Sequence, residues 1–575
     1  MRIRKQVYQG LFLATSLVSV GGLQANNIQV SNVSLTGRDV SAGSGNSANF
    51  VMVKFDLSWE NSWRLSGGPA NWDAAWVFVK YRAGASNPTF SGVSSSGTLV
   101  TVNSTANLRV GMPVSVSAGT GAFAANTVIS SITNSTQFVV SATPTTALSG
   151  ATITCERIWE HSWLHNSGHT AATGSALDVG LMNTGTSFNA ATNPGMGAFI
   201  YRSASGNGNV NFTNIQLRWN YGAQGISDVT AVDVEVFALE MVYVPQGAFW
   251  VGDGTTANIY GNFRDAASNV PFPISSEAAL TLGGTTAGNL GNNNTTGMAA
   301  GNLDDYSDTA TRTLPAAFPK GFNAFYCMKY ELSQRQWIEF FNSLTNTQKS
   351  NRDITSNTSS GKNTDNIRNR NNISWTSGDA TLNGGTHGDV ACNFLNGMDM
   401  MAYLDWSGLR PMSELEFEKA CRGPQYPVRD GLPWGLFGAS SPTRVDTVSN
   451  HGTSSEVNAT SGAIVVYNTP ANLSGPVRVG ALATSTSTVS NSSASYYGIQ
   501  DLAGNVNETV VSTGVAAGRN FTQAVHGNGS LHSAGWADIS TWPGYNVSLT
   551  YNSSATGTGM RGGAWNSSIN IIRVS

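Results

Sequence analysis

The sequence predicts an α+β protein: a β-rich, sandwich-like N-terminal region with a small β module inserted in it, followed by an irregular mixed α+β region. Three observations carry this. Alternation of apolar and polar residues with period two is confined to roughly the first 240 positions. A charge-poor stretch over 87–155 interrupts that style. Helical periodicity with N-terminal capping pairs begins only beyond Met241. The 575 residues exceed one ordinary domain and leave room for about two to four.

Over 26–238, Phe50–Trp59 (FVMVKFDLSW) alternates apolar and polar residues, and Ala75–Tyr81 (AWVFVKY) reads as a second strand. Ala198–Arg202, Ile215–Trp219 and Val232–Ala238 continue the pattern. Trp59, Trp63, Trp72 and Trp76 fall at strand spacing. They fit a sandwich core better than a carbohydrate platform. Between Val77–Arg82 and Arg157–Trp163, which share this Trp-rich style, the segment 87–155 is rich in Ser, Thr, Val and Gly. Its short strands, such as Thr98–Val102 and Gln137–Ser141, mark a module inserted into a host. His161, His165 and His169 are spaced by four, which on a helix would place three imidazoles on one face. Ser167-Gly168 and the flanking Trp pattern favour strands instead, against a metal site there.

Charged residues make up 11% of the chain and the formal net charge is -3, so no electrostatic footprint for nucleic acid is present. Gly, Ser, Thr and Asn supply the polarity. The 15 Trp, 16 Tyr and 23 Phe argue against disorder. Arg2, Arg4 and Lys5 precede a short apolar run, Gly10–Val20, with Ala25 as the expected last residue of a secretory signal over 1–25; an uncleaved anchor is the alternative. No later run approaches the ~18 apolar residues of a membrane span. The chain therefore reads as secreted, periplasmic or on a cell surface. Cys155, Cys327, Cys392 and Cys421 read as small buried residues with at most one disulfide.

The C-terminal half opens with a strand, turn and strand over Met241–Gly252, then a long Gly- and Asn-rich loop over roughly 253–312. Ser333 and Gln336 form a capping box ahead of Trp337, Phe340, Phe341 and Leu344, which share one helical face. A second helix is expected over 397–406, and a third starting from Ser413 with Glu416 as its box partner. The motifs run in order: Met241-Val-Tyr-Val-Pro-Gln-Gly247, Tyr326-Cys-Met-Lys-Tyr-Glu-Leu-Ser-Gln334, Ala402-Tyr-Leu-Asp-Trp406, Leu409-Arg-Pro-Met-Ser-Glu-Leu-Glu-Phe-Glu-Lys-Ala-Cys-Arg-Gly423, Pro433-Trp-Gly435, Tyr497-Gly-Ile-Gln-Asp-Leu-Ala-Gly-Asn-Val506 and Arg561-Gly-Gly-Ala-Trp565. Together they resemble the formylglycine-generating enzyme (sulfatase-modifying factor) family over 241–575.

The resemblance implies an irregular mixed α+β fold, distantly similar to C-type lectin-like domains. It also implies copper chemistry on two cysteines near the end of the domain, since thiolates suit Cu(I). Those two positions are Ser567 and Ile572 here, and the serine of the motif is Ala564. Catalytic residues are therefore expected to be none, and copper is not expected. The iron-dependent branch of the family uses a His-rich helical domain, which the β-type N-terminal region does not match. The family's calcium loop is retained: the resemblance assigns Ca²⁺ to the side chains of Asp501 and Glu508 and the carbonyls of Gly504 and Val506. Asn450, with the carbonyl of His451, falls where the family has a second site. The resemblance also implies a further strand beyond the position of Ser575, so either a truncated terminus or a genuine variant of the domain is expected. The expected function is a non-catalytic binding or structural module for a glycan, peptide or protein ligand. The alternative is a copper-dependent oxidase that converts a substrate cysteine to formylglycine.

Overall fold

The computed structural model describes residues 27–255, 259–293, 295–298, 304–356, 361–435, 441–484, 487–545 and 555–574. The expected signal segment lies outside these residues. Strand Phe50–Arg64 is the centre of a three-stranded antiparallel sheet between Gln29–Asp39 and Gly206–Trp219. Its alternation sends Val51, Val53, Phe55, Leu57 and Trp59 to one face, where all are buried. They meet Ala75, Val77, Val79 and Tyr81 of strand Asp73–Ala83, and Ala198 and Ile200 of strand Gly195–Arg202. These belong to a second antiparallel sheet. Its order is Ser175–Leu181, Gly195–Arg202, Asp73–Ala83, Val232–Val244 and Phe325–Met328, with Glu160–His161 also pairing on Asp73–Ala83.

The second sheet is covered on both faces. Its other face carries Trp76, Phe78, Leu239 and Met241 against Trp337, Phe340, Tyr403 and Trp406 of the C-terminal helices. This corrects the reading of the four tryptophans as one core. Trp59 lies between the sheets, whereas Trp76 lies on the opposite side, against the C-terminal half. Trp63 leans on the cluster that contains Tyr497, and Trp72 stacks on Tyr243 with centroids 4.0 Å apart.

The chain leaves strand Asp73–Ala83 and returns at Glu160, which pairs with Tyr81. Between these points six strands form one sheet: Thr89–Ser96, Leu99–Thr101, Val114–Ala122, Ile129–Asn134, Gln137–Val140 and Thr146–Cys155. Its two ends meet where Gly111 N–H donates to the Ile129 carbonyl at 2.8 Å. Val93, Val100, Phe138 and Ile153 fill a separate core. Arg109 ties this sheet to its base, donating to Glu160 and to the Tyr81 hydroxyl.

Helices Gln334–Asn342, Gly397–Ser407 and Glu414–Arg422 all start from complete capping boxes, at Ser333, Asn396 and Ser413. The Gly- and Asn-rich stretch is less bare than its composition suggests. It holds strands Phe263–Asp265, Phe272–Ile274, Leu280–Leu282, Leu290–Asn292 and Arg312–Leu314. Among the described residues, no helix is long and apolar enough to cross a membrane.

Strand Val232–Val244 runs unbroken through 238–241, where the sequence suggests a boundary. It bonds Asp73–Ala83 along its length and Phe325–Met328 at its end. At that junction Lys329 is buried, and its Nζ donates to Asp73 Oδ2 at 3.0 Å and Glu240 Oε2 at 2.9 Å. The paired carboxylates hold the ammonium's pKa well above its usual range against the opposing effect of burial, which is the largest influence on it. Replacing Lys329 with Ala leaves two buried carboxylates without their cation, and the expected loss is about 3–5 kcal/mol in urea unfolding. A change within experimental scatter of zero would show that the cluster does not hold the junction.

Candidate functional site

The loop 501–508 turns sharply because Asp501, Gly504 and Asn505 all take left-handed backbone angles, with φ of 62°, 80° and 60°. Gly504 has no substitute: a Cβ there would lie 2.1 Å from the Val466 carbonyl oxygen. The loop then enters strand Glu508–Val511, which pairs with Thr558–Arg561. Asp501 is buried, and its Oδ2 accepts from Gly480 N–H at 2.6 Å. Both carboxylate oxygens of Glu508 are buried without a hydrogen bond. Gly562 makes room for them, since a Cβ at that glycine would meet Glu508 Oε2 at 1.9 Å. The carbonyls of Gly504 and Val506 accept no main-chain hydrogen bond among the described residues.

A third acid joins that sequence reading did not single out. Glu331 accepts from Val506 N–H at 2.7 Å and from the Asn505 amide. Burial first, then the charges of Asp501 and Glu508, push the Glu331 carboxyl well above the usual range. Glu508 is raised in the same way, chiefly by burial and further by Asp501. Asp501 is pushed up to about 6 by burial, against the Gly480 N–H and the Arg478 charge. The arrangement is a loop of buried acceptor atoms, several without a donor, in an acidic, water-poor setting, which is chemistry suited to a hard cation. Among the described residues, no three or more His, Cys, Asp or Glu side chains form a metal-binding group by themselves. A cation here would draw on main-chain carbonyls as well.

Asn450, expected at a separate second site, lies in a turn of its own. Its carbonyl accepts from Thr453 N–H at 3.0 Å and Thr453 Oγ1 at 2.7 Å, closing a local turn. His161, His165 and His169 do not converge on one point. His161 is buried in strand Glu160–His161, stacked on Phe78, while His169 bonds the His165 carbonyl in a turn.

Ala564, Ser567 and Ile572 share the short segment after Arg561. Ser567 Oγ accepts from Ala564 N–H at 2.9 Å, and Ser567 N–H donates to the Ala564 carbonyl at 2.8 Å, so the serine closes a tight turn. Ile572 is fully buried among Leu432, Val465, Tyr467 and Ala503. All four cysteines are free. Burial pushes the Cys155 and Cys327 thiols up to about 12, with Glu508 adding to the shift at Cys327. Cys392 and Cys421 are also raised, again mainly by burial. This is the opposite of the lowered pKa that makes a thiol reactive or metal-binding.

Beside the acidic loop lies a cavity of about 940 Å³. Its walls combine Trp76 and Phe199 of the second sheet, the edge strand Phe325–Met328, helix residues Met400 and Leu404, and Val506–Thr509. Ala564, Trp565 and Asn566 stand on its lining as well, so the segment that would carry chemistry in the resembled enzymes borders it.

Comparison with protein families matches the Sulfatase-modifying factor enzyme 1-like domain to residues 284–575. The chain belongs to this family. The match covers the acidic loop, the Arg561–Trp565 motif and the helices Gln334–Asn342, Gly397–Ser407 and Glu414–Arg422. No curated protein and no solved structure matches the chain.

Two predictions follow from the electrostatics and packing of the loop. The raised carboxyls retain protons in the folded state that the unfolded chain has lost above about pH 4. In chelator-treated protein, stability should therefore be full below about pH 4 and fall as pH rises through about 6, the value for Asp501. Asp501→Asn should remove about 2–3 kcal/mol of that fall in urea titrations. Stability that rises over the same window would contradict this assignment. Gly562→Ala should drive a methyl group into the Glu508 carboxylate and lower the thermal midpoint by several degrees, whereas Gly559→Ala, whose Cβ meets nothing closer than 3.6 Å, should be far milder.

Proposed function

We propose that this member of the family is an exported, non-catalytic binding module, with Ca²⁺ as a structural ion in the 501–508 loop. One observation carries the non-catalytic reading. The two positions that would supply thiolates to copper hold a serine whose hydroxyl closes a turn and an isoleucine buried in the core. A hydroxyl is a poor ligand for Cu(I) and an alkyl group is none. The remaining cysteines are held as thiols by burial. The export assignment rests on the basic and apolar pattern of the first 25 residues. The ligand class is a glycan, a peptide or a protein, and the large cavity beside the loop is the place to seek it.

The calcium reading is supported by Glu508, whose two buried oxygens have no protein donor, and by the free carbonyls beside it. Asp501, Glu508 and the carbonyls of Gly504 and Val506 would hold the ion, with Glu331 adjacent. The ion would supply the positive charge that three buried carboxylates otherwise lack. Nothing in the mixture of donors calls for a softer metal.

The decisive experiment gives the purified chain copper, oxygen and a cysteine-containing peptide, and follows formylglycine by mass spectrometry. No product is expected, and turnover would overturn the non-catalytic reading. Calcium at 100 times its dissociation constant should raise stability by about 2.7 kcal/mol in the wild type. The shift should be absent in an Asp501→Ala/Glu508→Ala double variant. No calcium shift in the wild type would remove the ion from the account.

A further inference from the structure

The buried lysines divide into two kinds. Lys80, Lys320, Lys362 and Lys419 donate to main-chain carbonyls, and Lys349 meets the Gly378 carbonyl and an exposed carboxylate, Asp379. Lys329 differs, because its ammonium lies between two buried carboxylates. Its Nζ is 3.0 Å from Asp73 Oδ2 and 2.9 Å from Glu240 Oε2, and the three side chains are 3%, 0% and 2% exposed. An amine is thereby held against a carboxyl group with water excluded.

The two carboxylates are not equivalent. Asp73 Oδ1, the oxygen that does not meet the ammonium, accepts from Ser62 Oγ at 2.8 Å and Trp63 N–H at 2.9 Å. Two neutral donors on one carboxyl oxygen stabilise the negative charge that develops there when a nucleophile adds to the carbon. Arg202 Nε donates to Ser62 Oγ at 3.1 Å and fixes that hydroxyl. Glu240, by contrast, takes only the lysine, and its Oε1 is buried with no partner. Burial raises the Glu240 carboxyl pKa, against the Lys329 charge, which suits a group that takes up a proton and passes it on.

We propose that Lys329 and Asp73 condense after folding into an intramolecular amide, Lys329 Nζ to Asp73 Cγ, with Glu240 as the proton carrier. The step balances without a co-reactant. Glu240 Oε2 takes one proton from the ammonium and hands it to Asp73 Oδ2. The freed Nζ lone pair adds to Cγ, and the charge that develops on Oδ1 is held by Ser62 and Trp63. Glu240 then carries a second proton from the nitrogen to the Oδ2 hydroxyl, the Cγ–Oδ2 bond breaks, and one water leaves. Two opposite charges vanish and Glu240 is regenerated. In bulk water the solvation of both ions opposes such a condensation. Here both ions have already lost that solvation, and the neutral amide removes the penalty of keeping them buried. Holding the reacting groups in contact lowers the barrier further. The ion cluster is the folded precursor, and the amide keeps the same strands together. It joins residues 256 positions apart in a chain whose four cysteines are all free. The inference is independent of the calcium and binding readings.

The test maps the purified full chain with trypsin in denaturant. Trypsin cuts after a free lysine and not after an acylated one. The expected product is a branched peptide, 65–80 joined to 321–335, uncut after Lys329 and lighter by one water than the two peptides together. Tandem mass spectra should place the join at Asp73 and Lys329. Glu240→Gln keeps the size of the side chain and removes the proton carrier, so the branched peptide should be lost and cleavage after Lys329 restored. Separate peptides from the wild type, cut after Lys329, would overturn the inference whether or not the variant folds. A branched peptide at wild-type yield in Glu240→Gln would overturn the role given to Glu240.

Discussion

The structure turns on one buried cation. Lys329 sits at the end of the edge strand and holds Asp73, from the third strand of the chain, and Glu240, from the strand that crosses into the C-terminal half. Asp73 also accepts from Trp59 Nε1 at 2.8 Å, Ser62 Oγ at 2.8 Å and Trp63 N–H at 2.9 Å. A single carboxylate thereby fixes the long central strand, the second sheet and the edge strand in one geometry. Three charges leave water together, and their hydrogen bonds must all be made for the arrangement to be tolerable. This constraint sets the position of everything built on the edge strand, including the cavity and Glu331.

From that junction the site follows by chain geometry. Two residues beyond Lys329 the chain presents Glu331, which clamps the 501–508 loop through Val506 N–H and Asn505. The loop in turn depends on the C-terminal hairpin, where Gly562 leaves space for the Glu508 carboxylate and Arg561 anchors on Glu414 at 2.8 Å. The acidic loop is thus held from both the end of the second sheet and the end of the family domain. Its electrostatics reflect that enclosure: burial keeps water away and raises the carboxyls in concert.

Much of this was legible in the sequence. The capping boxes placed two helix starts because the reciprocal hydrogen bonds of Ser333 and Gln336, and of Ser413 and Glu416, are local. The alternation of Phe50–Trp59 gave a half-buried strand for the same reason. The tryptophans misled because strand Asp73–Ala83 is buried on both faces, so its apolar run carries no period that says which side Trp76 faces. The strands within 253–312 are only three residues each, too short to show a period. Glu331 escaped notice because its partner Val506 is 175 positions away, and long-range contacts leave no pattern in one sequence. The edge strand and its cavity likewise exist only once the register with Val232–Val244 is known.

The central claim is that the family scaffold persists here without its thiolate copper centre, because Ser567 and Ile572 stand where thiolates would be and the four cysteines are held as buried thiols or lie elsewhere in the fold. The most direct test is the Cu(I) affinity of the folded chain, measured by competition with a chromophoric chelator. The account predicts that the chain withdraws no copper from the chelator, and that Ser567→Ala leaves the titration unchanged. A stoichiometric site that outcompetes the chelator would contradict it.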